Sequence, residues 1–343
     1  MGVITLQLNK NLSYDEWKVK RKDSIGSSEV GAACIGSPYK SALEIFYNKI
    51  SGEKDTPENL AMWMGKETEP LTQKMWTFYE DSPLSVVKNS RNNNPIKKGE
   101  NRNVTIFNSD FEGRSSTPDI HILPFGVYGN RTDEGYCELK STVSYVLKSY
   151  KDELPTDNVF QICDQMVIGD KQYGELFYSI LDARDFRCYP LLRKSMKNIE
   201  ETIIRSTGDL WQRIKKARPL YNQMFEAKRL YNYKLANELD AAIQQLEPGP
   251  QNCDAYLRYL TERYKDRVSN VGLIKGTEEQ LKLAKKHREL GNKIKKLEKE
   301  KRMLEIELRL AIKDSNALDF GKLGAVTYYP TVNGNRLLKN NVK

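Results

Sequence analysis

The chain has few of the residues that build soft-metal sites and covalent cross-links. Two histidines, His121 and His287, exclude a multi-histidine zinc site within one subunit. Its five cysteines, Cys34, Cys137, Cys163, Cys188 and Cys253, are scattered without a C-x-x-C pair. That spacing argues against a disulfide framework and against the clustered thiolates that an iron–sulfur centre needs. No run of about eighteen apolar residues occurs, so no membrane span is expected. The first residues lack the basic-then-apolar order of a secretory leader, and Leu6 stands where a myristoylation site needs Ser or Thr. A chain of this kind is expected to stay in the cytoplasm.

Charge of one sign is in excess. Lys and Arg number 55 against 46 Asp and Glu, a net charge of +9 and a pI near 9.0, which favours a polyanionic partner. At 343 residues with 39% hydrophobic side chains, the chain can build one large domain or two ordinary ones. Within it, Thr117-Pro118-Asp119 is followed after eighteen intervening residues by Glu138-Leu139-Lys140. Both segments alternate like strands, and a period of two puts Glu138 and Lys140 on one face with Leu139 on the other. If the strands are neighbours, two carboxylates and an amine converge. Two carboxylates suit a hard, oxygen-seeking cation such as Mg²⁺ or Mn²⁺. Such an ion polarises a phosphate and acidifies water, while Lys140 would orient or deprotonate that water. The competing reading is a strand pair whose Glu138 and Lys140 form a surface ion pair.

Neighbouring blocks shift that balance. Trp17 and Arg21 precede Ile25-Gly26-Ser27-Ser28-Glu29-Val30 and then Ser37-Pro38-Tyr39-Lys40-Ser41. Met64-Gly65-Lys66-Glu67-Thr68-Glu69-Pro70 follows, on a stretch whose Met64, Leu71, Met75 and Phe78 recur at helical spacing. After the Glu138 strand comes Phe160-Gln161-Ile162-Cys163-Asp164-Gln165-Met166, running on to Gly169. In this order the blocks resemble the lambda exonuclease and YqaJ-type viral recombinase family of the PD-(D/E)xK nucleases, through most of the first 220 residues. Glu29 stands where that family more often has Asp, Ser27 where it has Gly, and Cys163 where a second Gln is common.

The resemblance implies an α/β fold with a PD-(D/E)xK, restriction-endonuclease-like core, a mixed sheet flanked by helices, and a C-terminal helical extension. It implies that Asp119, Glu138, Glu69 and the Leu139 backbone carbonyl hold Mg²⁺, for which Mn²⁺ can substitute. Lys140 and Gln161 would complete the catalytic set, and Gln165, one turn from Gln161, would pack or hydrogen-bond beside it. Arg21, Ser28 and Thr117 would receive a terminal 5′-phosphate, consistent with hydroxyls and exposed N–H groups at a helix start and an arginine fork. A plain N-cap serine beside a solvated arginine is the other reading of that segment. The implied activity is degradation of linear double-stranded DNA from the 5′ end, leaving 3′ single-stranded tails for phage-type recombination. A single-strand annealing protein and a trimeric ring of this chain are the implied partners, in a host cytoplasm if the gene is a bacteriophage's. An endonuclease or an exonuclease of other polarity on the same core, and a non-catalytic DNA-binding protein, are the alternatives.

The expected order is helical over 12–50 and 58–80, a polar loop over 89–103, strands near 104–108, 113–123, 135–141, 173–181 and 186–191, and a helix over 193–217 that ends at Pro219. The nuclease core is therefore taken as residues 1–219 and the extension as 220–343, partly coiled-coil-like with a terminal strand or hairpin. Residues 277–314 read as one charged helix. Its positions 283, 287, 290, 294, 297, 301, 304, 308 and 311 alternate steps of four and three. Eleven basic residues between Lys275 and Arg302 invite a DNA-binding reading, but seven acidic ones between Glu278 and Glu307 interleave, the pattern of a solvated face. The expectation is a hairpin of that helix against 220–265.

Overall fold

In a computed structural model of the chain, the described residues are 23–52, 60–81, 105–122, 135–149, 153–265, 275–313, 315–330 and 336–342. Trp17, Arg21 and the loop expected over 89–103 lie outside them.

A four-stranded mixed sheet carries the body, with strands β4 (Ile120–Ile122), β5 (Gly135–Thr142), β6 (Tyr173–Ile180) and β7 (Asp185–Leu192) adjacent in that order. Strands β5 and β6 run parallel and the two flanking pairs are antiparallel. A parallel pair needs a long crossover, and α4 (Ser144–Ser149) and α5 (Thr156–Ile168) lie on it. Every residue of β6 is buried, because helices cover both sides of the sheet. On one side α3 (Leu60–Asp81) packs Met75 and Trp76 against Ile120, Ile122, Cys137, Leu139 and Phe177. On the other, Ile162 and Ile168 of α5 meet Tyr136, Leu176 and Tyr178. Odd-numbered residues of β5 thus face α3, and even-numbered ones face α5.

A second, smaller sheet holds β1 (Ile25–Gly26), β2 (Ile106–Phe107) and β3 (Arg114–Ser116), with β3 in the middle and β1 parallel to it. From β1 the chain enters α1 (Ser27–Ile35), then α2 (Ala42–Ser51), capped by the Ser41 hydroxyl accepting from the Glu44 N–H. Their apolar faces, with Phe160, Cys163, Met166 and Val167 of α5, form the largest core cluster.

The same cluster extends along α6 (Lys197–Arg229), which corrects the expected helix end. Pro219 lies inside α6, because the buried stripe of Ala217, Met224 and Ala227 continues past it. One lost hydrogen bond is outweighed by that packing. The chain turns later, where Tyr231 adopts φ 58° and the Asn232 side chain caps α7 (Tyr233–Gln245). Ala236 and Ile243 of α7 pack back onto the cluster. From α8 (Asp254–Tyr264), Arg258 donates to the Pro38 and Tyr39 carbonyls. Just before that helix, Gln251 caps Ala42 N–H and binds the Ala32 carbonyl. Residues 220–265 are therefore part of the body, and the compact units divide at 266/267.

The second unit contains α9 (Glu278–Ile312) and an antiparallel sheet with β9 (Ala325–Pro330) between β8 (Ala317–Asp319) and β10 (Arg336–Asn340). A capping box of Thr277 and Gln280 starts α9. Ile312 and Val326 are its buried apolar anchors. Within this unit the four-three seam is exposed from Leu283 to Leu304 and half-buried at Leu308.

Gly113 marks one tight point of the body. It has φ +74°, and a Cβ there would collide with the indole of Trp211 in α6. Gly113→Ala should therefore lower unfolding free energy by about 2–4 kcal/mol, from left-handed strain plus overpacking, read as a lower urea midpoint.

Candidate active site

The antiparallel register pairs Ile120 with Cys137, so Asp119 lies one residue beyond the last paired position of β4, beside Glu138. Its Oδ2 accepts the Leu139 N–H at 2.8 Å. The N–H and C=O of a strand residue point to the same edge, so the Leu139 carbonyl is directed toward the Asp119 side of β5. Glu138 and Lys140, both even-numbered, project toward α5 as the alternation predicts. Lys140 Nζ donates to Glu138 Oε1 at 2.7 Å and to Gln161 Oε1 at 3.0 Å. Gln161 Nε2 donates to Glu138 Oε1 at 2.6 Å, and Gln165 Nε2 to Glu138 Oε2 at 2.6 Å. Gln161 and Gln165 reach the same carboxylate because they lie one helical turn apart.

The electrostatics are uneven. Burial, followed by the charges of Glu138 and Glu69, raises the Asp119 carboxyl well above its ordinary value despite the nearby Lys140 and the Leu139 N–H. Burial works to lower Lys140, but Glu138 and Asp119 outweigh it and raise the amine, which therefore remains an ammonium. Glu69 is half-buried on α3 and acts on both groups through its charge. The α3 contact is set by a hydroxyl ladder: Thr68 Oγ1 donates to Ser141 Oγ at 2.8 Å, and Thr72 Oγ1 lies 2.7 Å from Ser179 Oγ.

The structure thus brings Asp119, Glu138, Lys140 and Gln161 together, with the Leu139 backbone alongside. Glu69 does not join them as a third member of a preformed cage: among the described residues no three His, Cys, Asp or Glu side chains gather tightly enough to hold an ion. The donor set still fits a hard cation. Three of roughly four carboxylate lone-pair positions of Glu138 are taken, and Asp119 adds a second all-oxygen donor, with a carbonyl beside it.

For the expected phosphate pocket, Ser28 is exposed in the first turn of α1, and Thr117 is half-buried with its hydroxyl 3.2 Å from that of Thr105. They leave the same ends of the parallel strands β1 and β3. Glu29 is tied down instead: it accepts from Gly26 N–H at 3.1 Å and pairs with Lys40 at 2.7 Å and with the buried Lys49 at 3.1 Å.

One cluster has no counterpart in the sequence reading. Asp164, fully buried on α5, is ion-paired with the buried Arg114 of β3, and its Oδ2 accepts the Ser27 hydroxyl at 2.6 Å. The Arg114 guanidinium rests over the Phe111 ring at 4.8 Å. This ties the start of α1 to the helix that carries Gln161 and Gln165. The available signal was weak: a lone Arg among the serines of a short strand, and an Asp embedded in the glutamine row.

Residues 16–172 match the model of the YqaJ-like viral recombinase domain. The match makes this segment, a little under half of the chain, similar to that family. It spans the small sheet, the Asp119–Lys140 centre and α5. Among solved structures, the chain is similar to the alkaline exonuclease LHK-Exo from Laribacter hongkongensis, with 16% identity, 61% of this chain and 99% of that one covered, and a TM-score of 0.42. LHK-Exo in complex with dAMP gives 16%, 61%, 98% and 0.43. The structure of SSO0001 gives 13% identity over 56% of this chain and 84% of that one, with a TM-score of 0.25. No curated protein matches the sequence. Among the described residues, no helix is long and apolar enough to cross a membrane.

Asp119→Asn tests the electrostatics without any substrate. Asparagine keeps the oxygen that accepts from Leu139 but carries no charge. A carboxyl with a raised folded-state pKa contributes stability below its unfolded pKa and loses it as pH rises through the folded value. Metal-free Asp119→Asn protein should therefore have a higher urea midpoint than wild type at neutral pH, with the difference shrinking toward acid pH. An unchanged difference across that range would contradict the assigned repulsion.

Proposed function

We propose that this chain is a Mg²⁺-dependent exodeoxyribonuclease of the PD-(D/E)xK type. It degrades one strand of linear duplex DNA from the 5′ end and leaves 3′ single-stranded tails. The observation that carries this reading is the Asp119, Glu138, Lys140 and Gln161 cluster at the β4–β5 edge, where acidic oxygens and an ammonium share one small site. The similarity of residues 16–172 to a viral recombinase domain supports DNA as the substrate, as does the net charge of +9.

Asp119, Glu138 and the Leu139 carbonyl would hold the cation, with Glu69 contributing from α3. Bound there, Mg²⁺ would supply Lewis acidity toward the phosphate and an acidified water. Gln161 holds both Glu138 and Lys140, fixing the carboxylate's orientation and the position of the amine. Because its pKa is raised, Lys140 acts as a charged donor that orients the nucleophilic water and offsets charge growing on the phosphate. Ser28 and Thr117, with Arg21, would receive the terminal 5′-phosphate, and each cut would regenerate that anionic end. A trimeric ring and a single-strand annealing partner belong to the same reading, and a bacteriophage origin would suit it.

With end-labelled linear duplex and Mg²⁺, Asp119→Asn and Glu138→Gln should each reduce cleavage by at least about 10³-fold, and Lys140→Ala by about 10²–10³-fold, while DNA binding persists. Near-normal turnover in any one would remove that residue from the centre. Efficient cutting of a covalently closed circle would favour an endonuclease instead.

Direction is tested separately. Wild-type protein should start faster on 5′-phosphorylated than on 5′-hydroxyl duplex. Arg21→Ala removes a charge-assisted contact worth roughly 1.5–3 kcal/mol, so about ten- to hundredfold of that preference should vanish. Equal rates on the two ends in wild-type protein would sink the pocket assignment.

A further inference from the structure

Helix α9 presents leucine at every seventh position, Leu283, Leu290, Leu297 and Leu304, over four heptads. Those side chains are 68%, 49%, 62% and 60% exposed, and Ile294 between them is 55% exposed. A 35-residue helix, on the order of 50 Å long, that shows such a stripe to water needs a partner helix to bury it. The leucines occupy d positions, and His287, Ile294, Lys301 and Leu308 occupy a.

The charges beside this seam select the partner and its direction. The g positions read Glu279, Lys286, Lys293, Glu300 and Glu307, and the e positions Ala284, Gly291, Glu298 and Glu305. In a parallel pair of copies, Glu300 would face Glu305, and Lys301 would stack on its own equivalent. An antiparallel pair centred between Ile294 and Leu297 changes every one of these contacts. Ile294 then opposes Leu297, Leu290 opposes Lys301, and Leu304 opposes His287. Along the flanks, Lys293 meets Glu300 and Lys286 meets Glu307, while each e-position glutamate faces Gly291 or Ala284. Sliding this pair by one heptad either way sets Lys293 against Lys293 or Glu300 against Glu300. Of these three registers, only the first makes all its g contacts complementary. The stem of Lys301 can cover Leu290 while its ammonium reaches water.

We infer that α9 is a self-association element that pairs antiparallel with α9 of a second copy of this chain, in the Ile294–Leu297 register. The inference is independent of the nuclease reading, since no residue of the Asp119 centre takes part.

Sedimentation velocity of the full chain over a concentration series tests it, with circular dichroism confirming helicity. Leu297→Asp should weaken association on the order of 100-fold by placing a charge opposite Ile294. Because Leu297 is exposed within one copy, the body should remain folded. Glu300→Lys decides direction. In the antiparallel pair it meets Lys293 and should weaken association about 3- to 10-fold, and adding Lys293→Glu should restore it. In a parallel pair the same Glu300→Lys change would meet Glu305 and tighten association. Tightening, association equal in wild type and Leu297→Asp, or a wild-type monomer throughout would each overturn the inference.

Discussion

Burying the Glu138 carboxylate is the constraint around which the site is organised. Its side chain is 5% exposed, and an unpaired charge at that depth would not persist in the folded chain. It persists because Lys140, Gln161 and Gln165 all donate to it. Two of those donors come from α5, so the carboxylate fixes how the crossover helix sits over the parallel pair β5–β6. Asp119 is held differently, by one backbone N–H, and carries the repulsion that the others avoid. A site of this kind is stabilised where it must be rigid and strained where a cation would bring relief.

The same helix is anchored a second time. Asp164 faces away from the sheet toward Arg114 and Ser27, so α5 bridges the Glu138 centre and the start of α1. Glu29 then fixes that start through Gly26, Lys40 and Lys49. Two buried charge clusters thereby place the exposed Ser28 and the neighbouring Thr117 relative to the centre without either residue having to bury a charge. Arg258 of α8 reinforces the arrangement from outside by binding the loop between α1 and α2, and Gln251, just before α8, binds Ala32 of α1 and Ala42 of α2.

The second unit follows other physics. Its long helix has a capped start and a small apolar anchor at its C-terminal end, but its seam is not buried within the unit. Charges flanking the stripe keep such a helix soluble while restricting which partner helix can cover it.

The sequence by itself determined the alternation of β5, and with it the shared face of Glu138 and Lys140, because strand periodicity is local. It also determined the pairing of Gln161 with Gln165 on one face of α5, the extent of the charged helix and the resemblance to a recombinase family. Tertiary structure decided the rest. Pro219 reads as a helix end, yet α6 passes through it because the buried stripe beyond is worth more than one backbone hydrogen bond. Glu29 reads only as the acidic residue of the block around Ser28, and two lysines from further along the chain make it an internal anchor. Arg114 and Asp164 lie 50 residues apart, and nothing local marks either as a partner of the other. The heptads of α9 were legible, but whether they were covered within their own unit depended on packing. Periodicity is written in neighbouring residues, whereas the burial of a charge depends on which distant segments close over it.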